Sequence, residues 1–286
     1  MTAPELDRVI GPTCRCDRAT ARLELRLRKS DRVDVSMVDA AGEPVRRLAT
    51  DLRRPPGPVR FRWDGRDDGG EVVPNGRYRL RIRLHEARRT ITVPTAVRVD
   101  STPPRIALLS ARPQVISPDG DGRGDRVQYV YRVNELALPW VLVDGADTVR
   151  GRLHPAGRGR IRWRGRRGGD PVPVGSYETS LVAEDEAGNR SKATRTIPVR
   201  VRYVELLGVP SAVSRRVRGP LAFTIDSDTQ DVEWRLTRIR GGSAGPSGRA
   251  APGPVSVPLA GLAPGRYILE ARVNAHSDRA LVRVTR

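Results

Sequence analysis

Three carboxylates stand close together in Ile116-Ser-Pro-Asp-Gly-Asp-Gly-Arg-Gly-Asp125: Asp119, Asp121 and Asp125. A hard cation such as calcium takes carboxylate and carbonyl oxygens, and interleaved glycines let a loop wrap around it. The spacing is not that of an EF-hand, because Arg123 and Val130 occupy the fifth and twelfth places counted from Asp119. The alternative is an Asp/Gly turn that bonds its own backbone. Asp67 and Asp68 are a second carboxylate pair, but a glycosidase pair needs a pocket around it, and no pocket-forming elements accompany these two. The triplet Arg123-Gly124-Asp125 arises easily in a chain rich in arginine and glycine. Cys14 and Cys16 are separated by one residue, which strains a mutual disulfide. Two ligands do not make a zinc site, which typically needs four, and His85, His154 and His276 lie far off. The expectation there is a pair of non-essential thiols in a degenerate loop. No glycine-rich phosphate loop opens a helix, and nothing supports Ser-His-Asp chemistry. No catalytic residue is expected.

The charge is unusual. The chain of 286 residues carries 52 basic and 33 acidic side chains, a net charge of +19, and only Lys29 and Lys192 are lysines. Arg22, Arg26 and Arg28 share one strand face, and Arg77, Arg79, Arg81 and Arg83 share another. If those strands lie on one sheet, they form a ridge suited to phosphate-rich wall polymers, acidic glycans or nucleic acid. Aromatic residues are only 4% of the chain and none interleaves with the ridge, which argues against base stacking. The competing source of the arginine excess is a GC-rich genome filling permissive surface positions.

The elements that would position these groups read as strands. Tyr78, Leu80, Ile82 and Leu84 alternate with the four arginines, the period of a strand with one wet face. Leu23, Leu25 and Leu27 match Tyr129, Tyr131 and Val133 in the same rhythm. Val38-Asp39 and Val143-Asp144 each end a strand at an Asp/Gly turn and predict a hairpin.

The chain also repeats. Trp63-Asp-Gly65 returns as Trp163-Arg-Gly165, and Pro74, Gly76 and Tyr78 return as Pro173, Gly175 and Tyr177. A period near one hundred residues is a whole small domain. Trp63, Tyr78, Trp163, Tyr177 and Tyr267 are expected in cores, since a large aromatic buries roughly 150–250 Å², on the order of 4–6 kcal/mol at about 25 cal/mol per Å². Gly65, Gly76, Gly165, Gly175 and Gly265 are expected in turns, with Gly76 at positive φ. Asp100-Ser-Thr-Pro-Pro104 reads as a stiff joint, and Asp185-Glu-Ala-Gly-Asn189 as a turn. The last third lacks Trp-x-Gly but keeps Gly265-Arg-Tyr267. Gly241 to Pro254 reads as a long flexible loop within it.

The prediction is an all-β chain of three antiparallel sandwiches in a row, spanning 1–103, 104–202 and 203–286. Trp63-Asp-Gly-Arg-Asp-Asp-Gly-Gly, followed by Pro74-Asn-Gly-Arg-Tyr78, resembles the immunoglobulin-like module of flagellar hook-capping proteins, which recurs in bacterial secreted and surface proteins. The match covers roughly 20–105 well. Over 125–200 it has losses, with Arg164, Arg166 and Arg167 replacing acidic residues. The run from Ile116 to Asp125 resembles the opening of modules in secreted bacterial surface proteins. The resemblance implies a sandwich used in assembly or adhesion.

The leading expectation is a non-enzymatic structural or adhesive protein, secreted or at the cell surface, that meets a protein or a cell-envelope glycan. The alternatives are an arginine-rich polyanion-binding module, and an accessory region of a secreted enzyme or of a flagellar hook-assembly protein. No cofactor is expected beyond calcium at Asp119, Asp121 and Asp125. No run of 18 apolar residues predicts a transmembrane helix. The first residues lack the apolar core of a signal peptide, which leaves a non-standard export route, a fragment or a misassigned start.

Overall fold

The structure is a computed structural model and describes residues 2–216, 219–241 and 244–286. Among the described residues it is built of strands, with a single 3₁₀ turn at Asp17–Ala19 and no α-helix. The alternating sequences fold as their period demands. Ala21–Leu27, for example, buries every second side chain and exposes Arg22 and Arg26.

The same layout occurs three times. In the first, a three-stranded sheet (Thr2–Leu6, Ala21–Leu27, Gly57–Trp63) faces a five-stranded one (Val9–Ile10, Arg89–Val99, Gly76–Leu84, Asp31–Val38, Pro44–Arg54). In the second, Gly157–Trp163, Val127–Val133 and Ile106–Arg112 face a five-stranded sheet centred on Gly175–Asp185. In the third, Val204–Leu207, Leu221–Ser227 and Gly253–Val257 face a sheet centred on Gly265–Val273. Pairing is antiparallel except for one short strand in each unit. Val9–Ile10, Val115–Ile116 and Ala212–Ser214 run parallel to the last strand of their own five-stranded sheet. Buried side chains gather in three clusters, Ile10 to Val99, Ile116 to Tyr203 and Val204 to Val284.

The two tryptophans anchor the first two clusters, at 1% and 0% exposure. Trp63 Nε1 donates to the Arg66 carbonyl and Trp163 Nε1 to that of Arg166, both at 2.8 Å. The tyrosines meet these rings edge-on, Tyr78 at 5.2 Å and the half-buried Tyr177 at 5.6 Å. Each tyrosine hydroxyl donates to a carbonyl four residues upstream: Tyr78 to Pro74, Tyr177 to Pro173 and Tyr267 to Ala263. The bond fixes the chain where it enters the central strand of the larger sheet, and it explains the Pro-x-Gly-x-Tyr spacing.

Three expectations need correction. Gly76, Gly175 and Gly265 are not at positive φ; they open strands in ordinary extended backbone. The special glycines are Gly65 (φ +70°) and Gly165 (φ +60°), where a Cβ would lie 2.3 Å from Pro12 Cγ and 2.7 Å from Pro118 Cγ. Glycine stands there because a proline from the unit's opening loop occupies the side-chain space. The third unit keeps the same device in disguise. Leu259, buried, holds the tryptophan's place six residues after Gly253, and Gly261 (φ +81°) follows it as Gly65 follows Trp63. Finally, the Gly241 to Pro254 stretch contains the strands Ala244–Ala250 and Gly253–Val257. The Trp234 ring covers Gly248, 3.1 Å from where a Cβ would be, so a neighbouring aromatic supplies the cover that the glycine lacks.

Candidate functional site

The groups with chemical potential lie at two seams between clusters and on the arginine-bearing faces.

At the first seam, the turn 185–189 docks against the opening loop of the first unit. Asn189 is 2% exposed and donates from Nδ2 to the Asp100 carbonyl at 2.8 Å. Arg98 pairs with Glu186 at 2.8 Å, and Arg18 donates to the Glu186 carbonyl at 3.0 Å. A Cβ on Gly11 would lie 2.6 Å from the Ala187 carbonyl oxygen, and one on Gly188 would lie 2.5 Å from Cys16 Sγ. The two units approach this closely because Gly11 and Gly188 carry no side chains. The cysteines are not free thiols as expected: Cys14 and Cys16 form a disulfide, and it forms the floor on which Gly188 rests. The tight turn of residues 11–19, held by bonds from Gly11 N to Arg18 O and from Cys14 N to Gly11 O, brings the two sulfurs together.

Asp100, Glu135 and Asp185 meet at this seam with their oxygens within 4.8 Å. Burial, then Asp185 and Asp100, push the Glu135 carboxyl above its ordinary value. The other two are well supplied with donors. Both Asp185 oxygens accept from Asn189, and Asp100 accepts from Asn75, Thr102 and Arg98. The trio brings acids of both units to one point. Its members lie tens of residues apart, so no spacing in the sequence announces it.

At the second seam, the structure brings Asp119, Asp121 and Asp125 together as the sequence suggested, with oxygens within 4.8 Å. Asp125 accepts from Gly120 N at 2.8 Å and Gly122 N at 2.9 Å. A fourth carboxylate, which the sequence did not point to, arrives from the facing turn: Asp228 Oδ2 lies 2.5 Å from the position of a Cβ on Gly124. Thr229 Oγ1 donates to Asp119 at 3.1 Å, and Arg202 pairs with Asp226.

The arginine rows fall on different sheets. Arg22 and Arg26 belong to the three-stranded sheet of the first unit, with Arg28 just past its strand, while Arg77, Arg79, Arg81 and Arg83 belong to the five-stranded sheet. The single ridge that needed both rows on one sheet does not form. Asp34 sits across from Arg83, and Glu24 pairs with Arg60 at 2.7 Å, so acids break up both faces. The second unit differs. Its three-stranded sheet exposes Arg112, Arg132, Arg158, Arg160 and Arg162, with Arg132 opposite Arg158 and both Arg112 and Arg162 flanking Gln128. None of its three strands carries an acid. Asp67 and Asp68 are structural: Asp67 accepts from Glu71 N and Asp68 binds Arg47, each within the same unit.

Residues 11–87 match the family model described as the FlgD Ig-like domain. The first module is an FlgD-type Ig-like domain. The match contains Trp63, Gly65 and the Pro74 to Tyr78 run that are central to its core. In fold, the chain is similar to the fibronectin(III)-like modules of Clostridium thermocellum CbhA, at 15% identity and TM-score 0.39 over 70% of this chain and 94% of that one. It is similar also to the mouse nectin-like molecule 4 ectodomain, Ig1 to Ig3, at 17% identity and TM-score 0.28 over 97% and 96%. The human OSCAR ligand-binding domain is similar at 16% identity and TM-score 0.25 over 63% and 96%. No curated protein matches the sequence. A chain built on an FlgD-type Ig-like module fits a non-enzymatic domain protein, and no helix among the described residues is long and apolar enough to cross a membrane.

Proposed function

We propose that this chain is an adhesive or structural protein, secreted or held at the cell surface, whose three sandwiches are locked in fixed order to present sheet faces to a protein or a cell-envelope glycan. The observation that carries the reading is the first seam. A buried asparagine, an ion pair and two close glycine contacts, Gly11 with the Ala187 carbonyl and Gly188 with Cys16 Sγ, join what would otherwise be separate beads. Independent beads would have no use for such a joint, whereas a scaffold that sets distances would. The Cys14–Cys16 disulfide in that joint supports export, because disulfides persist in oxidising compartments.

Asn189→Ala tests the joint. It removes a buried donor and leaves the Asp100 carbonyl unpaired, a cost of about 1–3 kcal/mol. Small-angle scattering of the full chain is expected to show a broader distribution of dimensions for the variant, with hydrogen exchange rising in 185–189. An unchanged profile with unchanged exchange would refute a locked joint.

The acid-free arginine face of the second module favours a second reading, a polyanion such as a phosphate-rich wall polymer or an acidic glycan. Guanidinium groups pair bidentately with phosphate and carboxylate. Retention of the chain on cell-envelope polymer is expected to fall steeply between about 50 and 200 mM salt if this face carries binding, and to weaken in the Arg158, Arg160 and Arg162 to Gln variant. Retention indifferent to salt and to those substitutions returns the function to the protein-contact reading.

A further inference from the structure

Two acidic groups sit at the seams, and their surroundings differ. In the first, Asp100 and Asp185 are well supplied with donors, while Glu135 accepts from Asn134 alone. The second seam leaves buried oxygens without partners. Ser117 is 5% exposed and Tyr203 2% exposed, and neither hydroxyl has a hydrogen-bond partner; nor does Asp228 Oδ1. Such orphans in a native fold call for an explanation, an ion among them. Ser117 and Asp228 belong to one place. Asp228 projects into the 117–125 loop beside Gly124, and Ser117 opens that loop. The Ser117 hydroxyl faces the Asp228 carboxyl without reaching good hydrogen-bond geometry. A half-buried carboxylate facing an unpaired buried hydroxyl, beside a loop with three more carboxylates, is a poor structure in apolar surroundings and a good one around a hard cation.

We propose that the seam between the second and third sandwiches is a calcium site, formed by Asp119, Asp121 and Asp125 of the 117–125 loop together with Asp228 of the facing turn. Calcium takes six to eight oxygens. Three carboxylates already converge within 4.8 Å, and Asp228, beside Gly124, would close on the ion as the fourth, with the Ser117 hydroxyl and water to complete the shell. The main-chain donors already on Asp119, Asp121 and Asp125 leave lone pairs free, since each ionised carboxylate offers about four. Glycines at 120, 122 and 124, all at positive φ, give the loop its curl. Arg126, Arg164 and Arg166 line the cleft onto which the loop opens. Their charge offsets part of the acids', so the affinity belongs to the weak range of extracellular modules, about 10⁻⁴–10⁻³ M. Three ligands come from one sandwich and the fourth from the next, so the ion cross-links the seam.

The experiment is calorimetric titration of the chelator-treated full chain with calcium chloride, with magnesium chloride as control and thermal melting in parallel. The expected result is one calcium per chain and a melting temperature that rises with calcium. Asp228→Asn should weaken binding at least tenfold. Asp121→Asn, at an exposed position that leaves the fold intact, should do the same. Asp185→Asn, at the first seam, should leave calcium binding unchanged. No heat and no thermal shift up to about 10 mM calcium, tenfold above the weak end of that range, would overturn the proposal. So would binding undiminished in Asp228→Asn, or binding as strong for magnesium. The outcome is separate from that of the Asn189 test, which concerns the other seam and needs no ion.

Discussion

Trp163→Ala is expected to cost the second sandwich about 3–5 kcal/mol, the range for emptying a large aromatic site in a core. The indole is completely buried, packs edge-on against Tyr177 and satisfies the Arg166 carbonyl, and alanine loses all three. A small domain holds only about 5–15 kcal/mol in total, so the second transition in a urea melt should move to much lower denaturant while the first stays in place. The protein contains its own control. The third sandwich fills the same position with Leu259, so Trp163→Leu should recover a large part of what Trp163→Ala loses. A shift worth less than about 1 kcal/mol for Trp163→Ala, the size of a typical surface change, would mean that the indole is no anchor.

Gly65→Ala ranks second. The substitution meets two separate penalties. At φ +70° an L-residue costs about 1–2 kcal/mol, and a methyl 2.3 Å from Pro12 Cγ forces the opening loop away, an overpacking cost of about 1–3 kcal/mol. Gly70→Ala isolates the first penalty, since Gly70 has φ +86° with nothing within 4 Å of its would-be Cβ. Pro12→Ala should relieve the second, so the double variant Pro12→Ala with Gly65→Ala is expected to lose less than the two single losses summed. Denaturant midpoints decide the matter. Equal losses at Gly65 and Gly70 would show that the proline contact is immaterial.

Much of this fold can be read from the chain, because strand period and a repeated indole are local signals. Leu23, Leu25, Leu27 and their partners Tyr129, Tyr131 and Val133 are buried as their alternation implies. What could not be read depends on chain crossings. Whether Arg22 and Arg77 share a sheet is decided by which strands pair, and the Ala21–Leu27 strand joins Gly57–Trp63 while Gly76–Leu84 joins Asp31–Val38. Gly65 looked like one turn glycine among five until the structure placed Pro12 against it. The cysteines looked unpaired because spacing alone argues against their bond, but the folded turn beneath Gly188 brings them together. The third sandwich hid its anchor by exchanging tryptophan for leucine. The proposed calcium ligands were legible in part: Asp119, Asp121 and Asp125 share ten residues, whereas Asp228 lies over a hundred away in sequence and reaches the loop only through the seam.

The short parallel strands have a mechanical consequence. In each sandwich the second strand and the last are hydrogen-bonded neighbours running the same way, Val9–Ile10 beside Arg98 and Val99 in the first and Ala212–Ser214 beside Arg283 to Thr285 in the third. Tension on the two ends of a sandwich therefore pulls these neighbours lengthwise past each other. The bonds between them must give way together, whereas a hairpin opened from its tip would lose them one at a time. A tether under flow or traction is loaded in this direction, and each sandwich meets the pull with its resistant axis.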